Sequence, residues 1–581
     1  MFLRPLQTLL TFLLSLALIV PAPAAAQDSS TGQTFTSNSE LVMVPVQVLD
    51  YSGQPLHGIK QQDFVLKSDG NPQHISVFEE MQLAPAPSPV QTVPAPPPLL
   101  AAAGPPPLPT SFTNRPDRNV PMQLTIVAID LVNTPLLLQT WARNEFIKYL
   151  KGNPLRQPIE VVAITPGGVR QLHALTTDND ALIASIKQLR SGFSRHDEQL
   201  PLLSRMDRNG NIDTYSSMVS QMQERQAEEA SKGASATYIT LHNFEELAWA
   251  YSGVPGRKTV LWLTTGFPVQ QMVPDGPALI GHGLASGPRL YSSAMHASNE
   301  LLPAFQRAFT ALNKSNVMVY PIDVQGLPIE EMWDISQPDS LYSHPELKNL
   351  SPPLLANRAA EDRDGMKELA HRTGGKTCTA GNNLIPCINQ ALSEGNDYYL
   401  LGFYVSQAQR KTGWHKLKLS VNADHGEVRL RNAYFLRALG TPPEREQEED
   451  LRSAITAAIN YTGIYFTVKR EEAAASDNPP ITFRVSVPPS SLVMIPGEDK
   501  LSFDVICIPL STKGTPINQQ SRINKLDMTP SQAQIALANG WHIVDNVTPD
   551  ASLAAVKVII RDNYTGRIGS VTFPVKNGAG S

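Results

Sequence analysis

Asp130 ends the apolar run Leu124-Thr-Ile-Val-Ala-Ile129 and is followed by Leu-Val-Asn-Thr134. A carboxylate followed closely by amide and hydroxyl oxygens can hold a hard cation, or it can cap the turn or helix that comes next. A second apolar run, Thr259–Leu263, ends in Thr264-Thr265-Gly266 and carries no acid. One strand end therefore offers a charge for a cation, and its expected counterpart does not.

Other candidate chemistry is weaker. Asp207-Arg-Asn-Gly-Asn-Ile-Asp213 alternates oxygen ligands as a calcium loop does, but Ile212 stands where the turn needs Gly and Met218 where the bidentate Glu belongs. It reads as a polar loop. His371 falls on an expected helix and His415 on an expected strand, and both read as surface or satisfied core. No Gly-x-Ser-x-Gly elbow, phosphate loop or dinucleotide fingerprint follows a strand, so the residues do not point to an enzyme.

The elements that must position Asp130 follow from periodicity. A continuous apolar run reads as a strand buried on both faces. Strands are expected at 124–129, 159–164, 169–175, 259–263, 317–322 and near Lys376. Apolar helical stripes lie between them: Ala142, Phe146, Tyr149 and Leu150; Leu241, Phe244, Leu247, Ala248 and Tyr251; Leu301, Phe305, Ala308, Phe309 and Leu312. This alternation predicts an α/β, three-layer, doubly wound unit over 119–396 with a mostly parallel sheet. Long loops are expected at about 193–235, 268–297 and 326–362.

On either side the period is two. Residues 38–80 read as a β unit with a hairpin at Asp69-Gly70, and 397–436 read as a β meander. Neither has enough strands to bury a face alone, so the two are expected to pair. Residues 81–118 are rich in Pro and Ala and read as an extended spacer. After the charged stretch Glu444–Asp450, residues 445–581 read as a helix followed by a β-sandwich.

The chain has 581 residues, a net charge of −5 and 17% charged residues, with no basic run to suggest nucleic acid. Residues 1–26 have the form of a signal peptide: Arg4, an apolar core from Leu9 to Val20, and Ala24-Ala25-Ala26. No later segment reads as transmembrane, so the mature protein is expected to be exported to the periplasm or beyond. Cys378 and Cys387 could close a loop of roughly ten residues, which a disulfide stabilises by about 2.5–3 kcal/mol. Cys507 lies in an apolar strand and reads as a buried thiol.

Several segments, in order, resemble a von Willebrand factor type A domain. They are Asp130 with Thr134, Gly256-Arg-Lys-Thr-Val-Leu-Trp-Leu-Thr-Thr-Gly-Phe-Pro268 and Asn316-Val-Met-Val-Tyr-Pro-Ile-Asp323. More narrowly, Val48–Gly58, Asp63–Gly70, Leu369–Gly375 and Asp397–Gly402 resemble VWFA-related proteins of the Acidobacteria. The resemblance implies an adhesion or complex-forming module that engages a protein or cell-surface ligand at the carboxyl edge of its sheet. It also implies a Mg²⁺ ion on an Asp-x-Ser-x-Ser motif, here matched by Asp130 and Thr134. Val132 replaces the first Ser, Thr265 replaces the acid that normally ends the fourth strand, and neither Thr237 nor Thr240 aligns clearly with the family's loop Thr. With one carboxylate left, the metal site reads as degenerate. Asp323 reads as a turn residue. The alternative to a binding module is a structural envelope scaffold.

Overall fold

A computed structural model of the chain describes residues 40–82, 110–115, 123–190, 213–254, 256–267, 288–325, 352–379, 383–405, 410–436, 444–471, 479–494, 500–517 and 520–575. The first strands are β1 (Glu40–Val48), β2 (Phe64–Ser68), β3 (Asn71–Pro72), β4 (Val77–Met81) and β5 (Ser111–Thr113). The central stretch opens with β6 (Gln123–Asp130), α1 (Leu136–Gly152), β7 (Ile159–Thr165), β8 (Gly168–Thr176), α2 (Asn179–Gln188) and α3 (Asp213–Ala250). It continues through β9 (Arg257–Thr264), α4 (Pro288–Lys314), β10 (Val317–Asp323), α5 (Pro352–Thr373), β11 (Cys378–Thr379) and α6 (Ile385–Asn396). Then come β12 (Tyr398–Val405), β13 (Gly413–Val421), β14 (Val428–Leu430), β15 (Ala433–Leu436) and α7 (Glu444–Thr456). The tail holds β16 (Thr467–Arg470), β17 (Ile481–Val487), β18 (Leu501–Ser511), β19 (Arg522–Met528), α8 (Pro530–Asn539), β20 (Trp541–Val547), β21 (Leu553–Asp562) and β22 (Ile568–Pro574).

These strands correct the expected fold class. Instead of a mostly parallel, doubly wound α/β architecture, the described chain is mainly β-rich, with five sheets of which four are antiparallel. Parallel pairing is confined to one mixed sheet, ordered β11-β10-β9-β6-β7-β8, and even there β7 and β8 run antiparallel. The reason is local. Only Pro166 and Gly167 separate Thr165 from its ladder partner Gly168, and a two-residue turn cannot return a strand in parallel.

Within the mixed sheet the apolar run of β6 is accounted for by burial on both faces. Ile126 and Ala128 join a core with Phe244, Trp262 and Phe305, while Val127 and Ile129 join one with Phe146, Leu182 and Ile388. The first core also takes in Ala454, Tyr461 and Ile559 of the tail, so the tail and helices α3 and α4 share one apolar interior. The long loops expected between these elements are partly helical, since α3 begins at Asp213, α4 at Pro288 and α5 at Pro352.

The strands of 40–81 and 398–436 interleave. β1 lies between β12 and β14 in one sheet, and β13 lies between β15 and β2 in another. Consecutive strands β12 and β13 thus sit in different sheets and do not pair as a meander. Val44, Val46, Leu66, Phe403 and Leu417 fill the core between the sheets. Arg431 fastens this small sandwich to the mixed-sheet unit, donating to the Asn313 and Met43 carbonyls at 3.0 and 2.7 Å.

The tail places sheet β19-β18-β21-β22 against β20-β17-β16-β5 around Phe483, Phe503 and Phe573. β5 comes from the stretch that composition marks as spacer. Phe112 gives it an apolar anchor, with its ring 5.4 Å from that of Phe573. The expected signal peptide, the rest of the Pro-rich stretch and residues 207–212 of the calcium-like loop lie outside the described residues.

Candidate functional site

The carboxyl ends of β6, β9 and β10 lie side by side, with Ile129 in register with Leu263 and Thr264 with Asp323. The chain leaves β6 through Leu131–Thr134, all four residues buried, and enters α1 behind Pro135. Val132 turns its isopropyl group into the core. Gln139, one turn into α1, reaches back to donate to the carbonyls of Leu131 and Thr134 at 3.3 and 2.8 Å.

Asp130 sits at the centre of this turn and is fully buried. Its Oδ1 accepts the backbone N–H groups of Val132 and Asn133 at 2.8 and 2.9 Å. Its Oδ2 accepts the Asn133 amide at 2.8 Å and the Thr264 hydroxyl at 2.7 Å. Burial pushes the carboxyl pKa above its ordinary value, and the bonds from Asn133, Thr264 and Val132 oppose that shift. The Asn133 amide also donates to Thr240 Oγ1 at 2.8 Å, which links the β6 turn to α3. Thr265 donates to the Asn133 carbonyl at 3.0 Å.

The residues present do not fit a Mg²⁺ ion. Such an ion rests on one or two carboxylates with octahedral oxygens. Here both oxygens of the one carboxylate are engaged by four donors, and the Asn133 NH₂ occupies the position a cation would need beside Oδ2. Thr134 Oγ1 and Asn133 Oδ1 are buried with no hydrogen-bond partner among the described residues. Both are neutral, and neither replaces the missing acid. The arrangement does what a capping carboxylate does, closing a turn on itself and tying it to β9.

Asp323 is buried and accepts Gln325 N at 2.8 Å, as a turn residue does, but it also accepts Arg363 Nε of α5 at 2.8 Å. Arg363 carries no sequence signal for this pairing. Thr264, not Thr265, is the hydroxyl that reaches Asp130, and Asn133 contributes more bonds than Thr134. Thr240 joins the cluster, while Thr237 bonds the Gly233 carbonyl on its own helix. His371 is exposed, and His415 is held between Asp69 and the Lys411 carbonyl, each at 2.7 Å. Burial pushes the Cys507 thiol up to about 12, which removes it as a nucleophile. Among the described residues no three His, Cys, Asp or Glu side chains come together to hold a metal.

No family model matches the chain. No curated protein matches it either.

The rim of this edge is apolar where α1 begins. Leu136 is 40% exposed and Leu137 86%, immediately after the locked turn. Below the edge, the Cys378–Cys387 disulfide joins β11 to the first turn of α6. Among the described residues no helix is long and apolar enough to cross a membrane.

Proposed function

We propose that this is an exported, non-enzymatic binding module that engages a protein or surface ligand through the rim where β6, β9 and β10 end, without a metal ion. The observation that carries the reading is the pair Leu136 and Leu137. Two large apolar side chains stand in solvent at the start of α1, on a turn that Asp130, Asn133 and Gln139 hold rigid. A fixed apolar projection suits a protein contact, because binding it costs little ordering entropy. The resemblance of 130–134, 256–268 and 316–323 to type A domains supports the same edge as the contact surface. The signal-peptide-like N-terminus and the disulfide support export.

The test is capture from an envelope fraction on immobilised mature protein, in EDTA and in Mg²⁺. Equal capture of the same partner in both supports the reading; capture only with Mg²⁺ contradicts it. A second reading, a structural envelope scaffold, is favoured by the apolar interior shared between α3, α4 and the tail. It predicts self-assembly of the mature protein with no separate partner.

A further inference from the structure

A groove of about 420 Å³ opens on the tail, on the outer face of sheet β20-β17-β16-β5, within the about 300–1,000 Å³ range of small-ligand sites. The sheet's inner row, Phe112, Val468, Val485 and Ile543, packs in the tail core. The residues that alternate with it must point outwards.

Ladder register places Thr113, Thr467, Ser486 and His542 in one line across all four strands. At about 4.8 Å between strands this polar line is about 14 Å long. Beside it, two residues further along the strands, lie Arg115, Tyr465 and Pro488, and all three line the groove. Gly540 packs so closely against β17's end that an added Cβ would lie 2.4 Å from the Val487 carbonyl, so this corner of the groove admits no side chain. On the opposite side of the polar line come Lys469 and Arg484. Among the described residues no carboxylate lines the groove, and Glu471, further along the same face, is held by Arg484 at 2.8 Å. The Trp541 indole N–H, also in the lining residue set, is buried with no partner among the described residues.

The Thr113 hydroxyl already donates to the Phe466 carbonyl at 2.8 Å and accepts the Arg115 N–H at 3.1 Å, which leaves Thr467, Ser486 and His542 to meet a ligand. We infer that this face binds an acidic oligosaccharide laid across the strands, its sugar rings against Tyr465 and Pro488, its hydroxyls on Thr467, Ser486 and His542 and its carboxylates toward Arg115 and Lys469. Ring faces, a row of hydroxyls and the Arg115 and Lys469 cations match each part of a uronate chain, whereas tetraglutamate supplies the carboxylates but no sugar ring to lie on Tyr465 and Pro488. The site is separate from the strand-end rim and does not depend on it.

The test is calorimetric titration of the full mature chain with tetragalacturonate, a neutral tetrasaccharide and tetraglutamate. Tetragalacturonate should bind with a Kd below about 1 mM and at least about tenfold tighter than either control. Arg115→Glu should weaken it by about tenfold or more, and Ser486→Trp should abolish it by filling the line. Arg115 is exposed and Ser486 half-buried on the outward side of β17, and unchanged thermal melting confirms that each variant folds. Absence of binding to the wild type, equal binding of the neutral sugar or of tetraglutamate, or full binding by a folded Ser486→Trp variant overturns the assignment.

Discussion

The Thr264 hydroxyl at the end of β9 donates to Asp130 Oδ2 at the end of β6 across 2.7 Å. Two neighbouring strand ends are thereby joined by a charge-assisted bond, where a cation-binding edge would hold its ion between them. The carboxylate's other three bonds, from Val132 and Asn133, shape the turn that leads into α1.

Removing that carboxylate should therefore be a stability lesion. Asp130→Ala leaves the Thr264 hydroxyl, the Asn133 amide and two backbone N–H groups without their acceptor. It should cost about 3 kcal/mol in urea denaturation, since each buried unpaired donor is expensive. Mg²⁺ should change the midpoint of neither the wild type nor the variant. A Mg²⁺-dependent gain in the wild type that the variant loses would restore the cation reading.

Gly266 ends the Thr264-Thr265-Gly266 segment with φ +89°, and a Cβ there would come 2.3 Å from the Asp362 carbonyl of α5. Gly266→Ala combines left-handed strain with a backbone clash. It should destabilise by about 2 kcal/mol or more, and Gly413→Ala, with φ +129° and open space around it, should cost less. Paired denaturation curves check the ranking.

Buried ionisable groups should give a stability profile with a trough near neutral pH. Burial raises the Glu246 carboxyl from 4.5 to about 7, so between those values the folded state holds a proton that the unfolded state has lost. Its contribution is present below pH 4.5 and is lost as pH rises to about 7, at most about 3 kcal/mol. Burial lowers Lys258 from 10.5 to about 7, so between those values the unfolded state holds the extra proton and stability recovers as pH rises. Glu246→Gln should flatten the acid limb and Lys258→Met the basic limb, read as melting temperature against pH.

The disulfide joins Cys378 to Cys387, nine residues apart. Cys378→Ser with Cys387→Ser should lower stability by up to about 3 kcal/mol. Reductant should lower the wild type toward the double variant and leave the variant unchanged, as denaturation with and without it will show.

Much of the strand placement was legible because burial on both faces leaves a continuous apolar run. Residues 124–129, 159–164, 259–263 and 317–322 all fall inside β6, β7, β9 and β10. Strand direction was not legible from the same property, since an apolar run is silent about its neighbour. The overall balance of sheets was misjudged accordingly, although the Pro166-Gly167 turn carried the clue for β7 and β8. β5 was hidden because Ser111–Thr113 is short and draws its stability from distant Phe573. At the site, Asp130 stood out as a lone charge after an apolar strand. Thr264, Asn133, Thr240 and Arg363 did not, because their roles come from spatial neighbours and no spacing announces them.

The central claim is that the rim beside this locked turn is the contact surface, and Leu137→Asp tests it most directly. The substitution falls in the first turn of α1, where an added carboxylate favours the helix, so the fold should hold. Ile535→Asp on α8, at a position 61% exposed, serves as the control. In the same capture assay, Leu137→Asp should retain less than about a tenth of the partner held by the wild type. Ile535→Asp should retain all of it. Full capture by Leu137→Asp, or equal loss in both variants, would contradict the account.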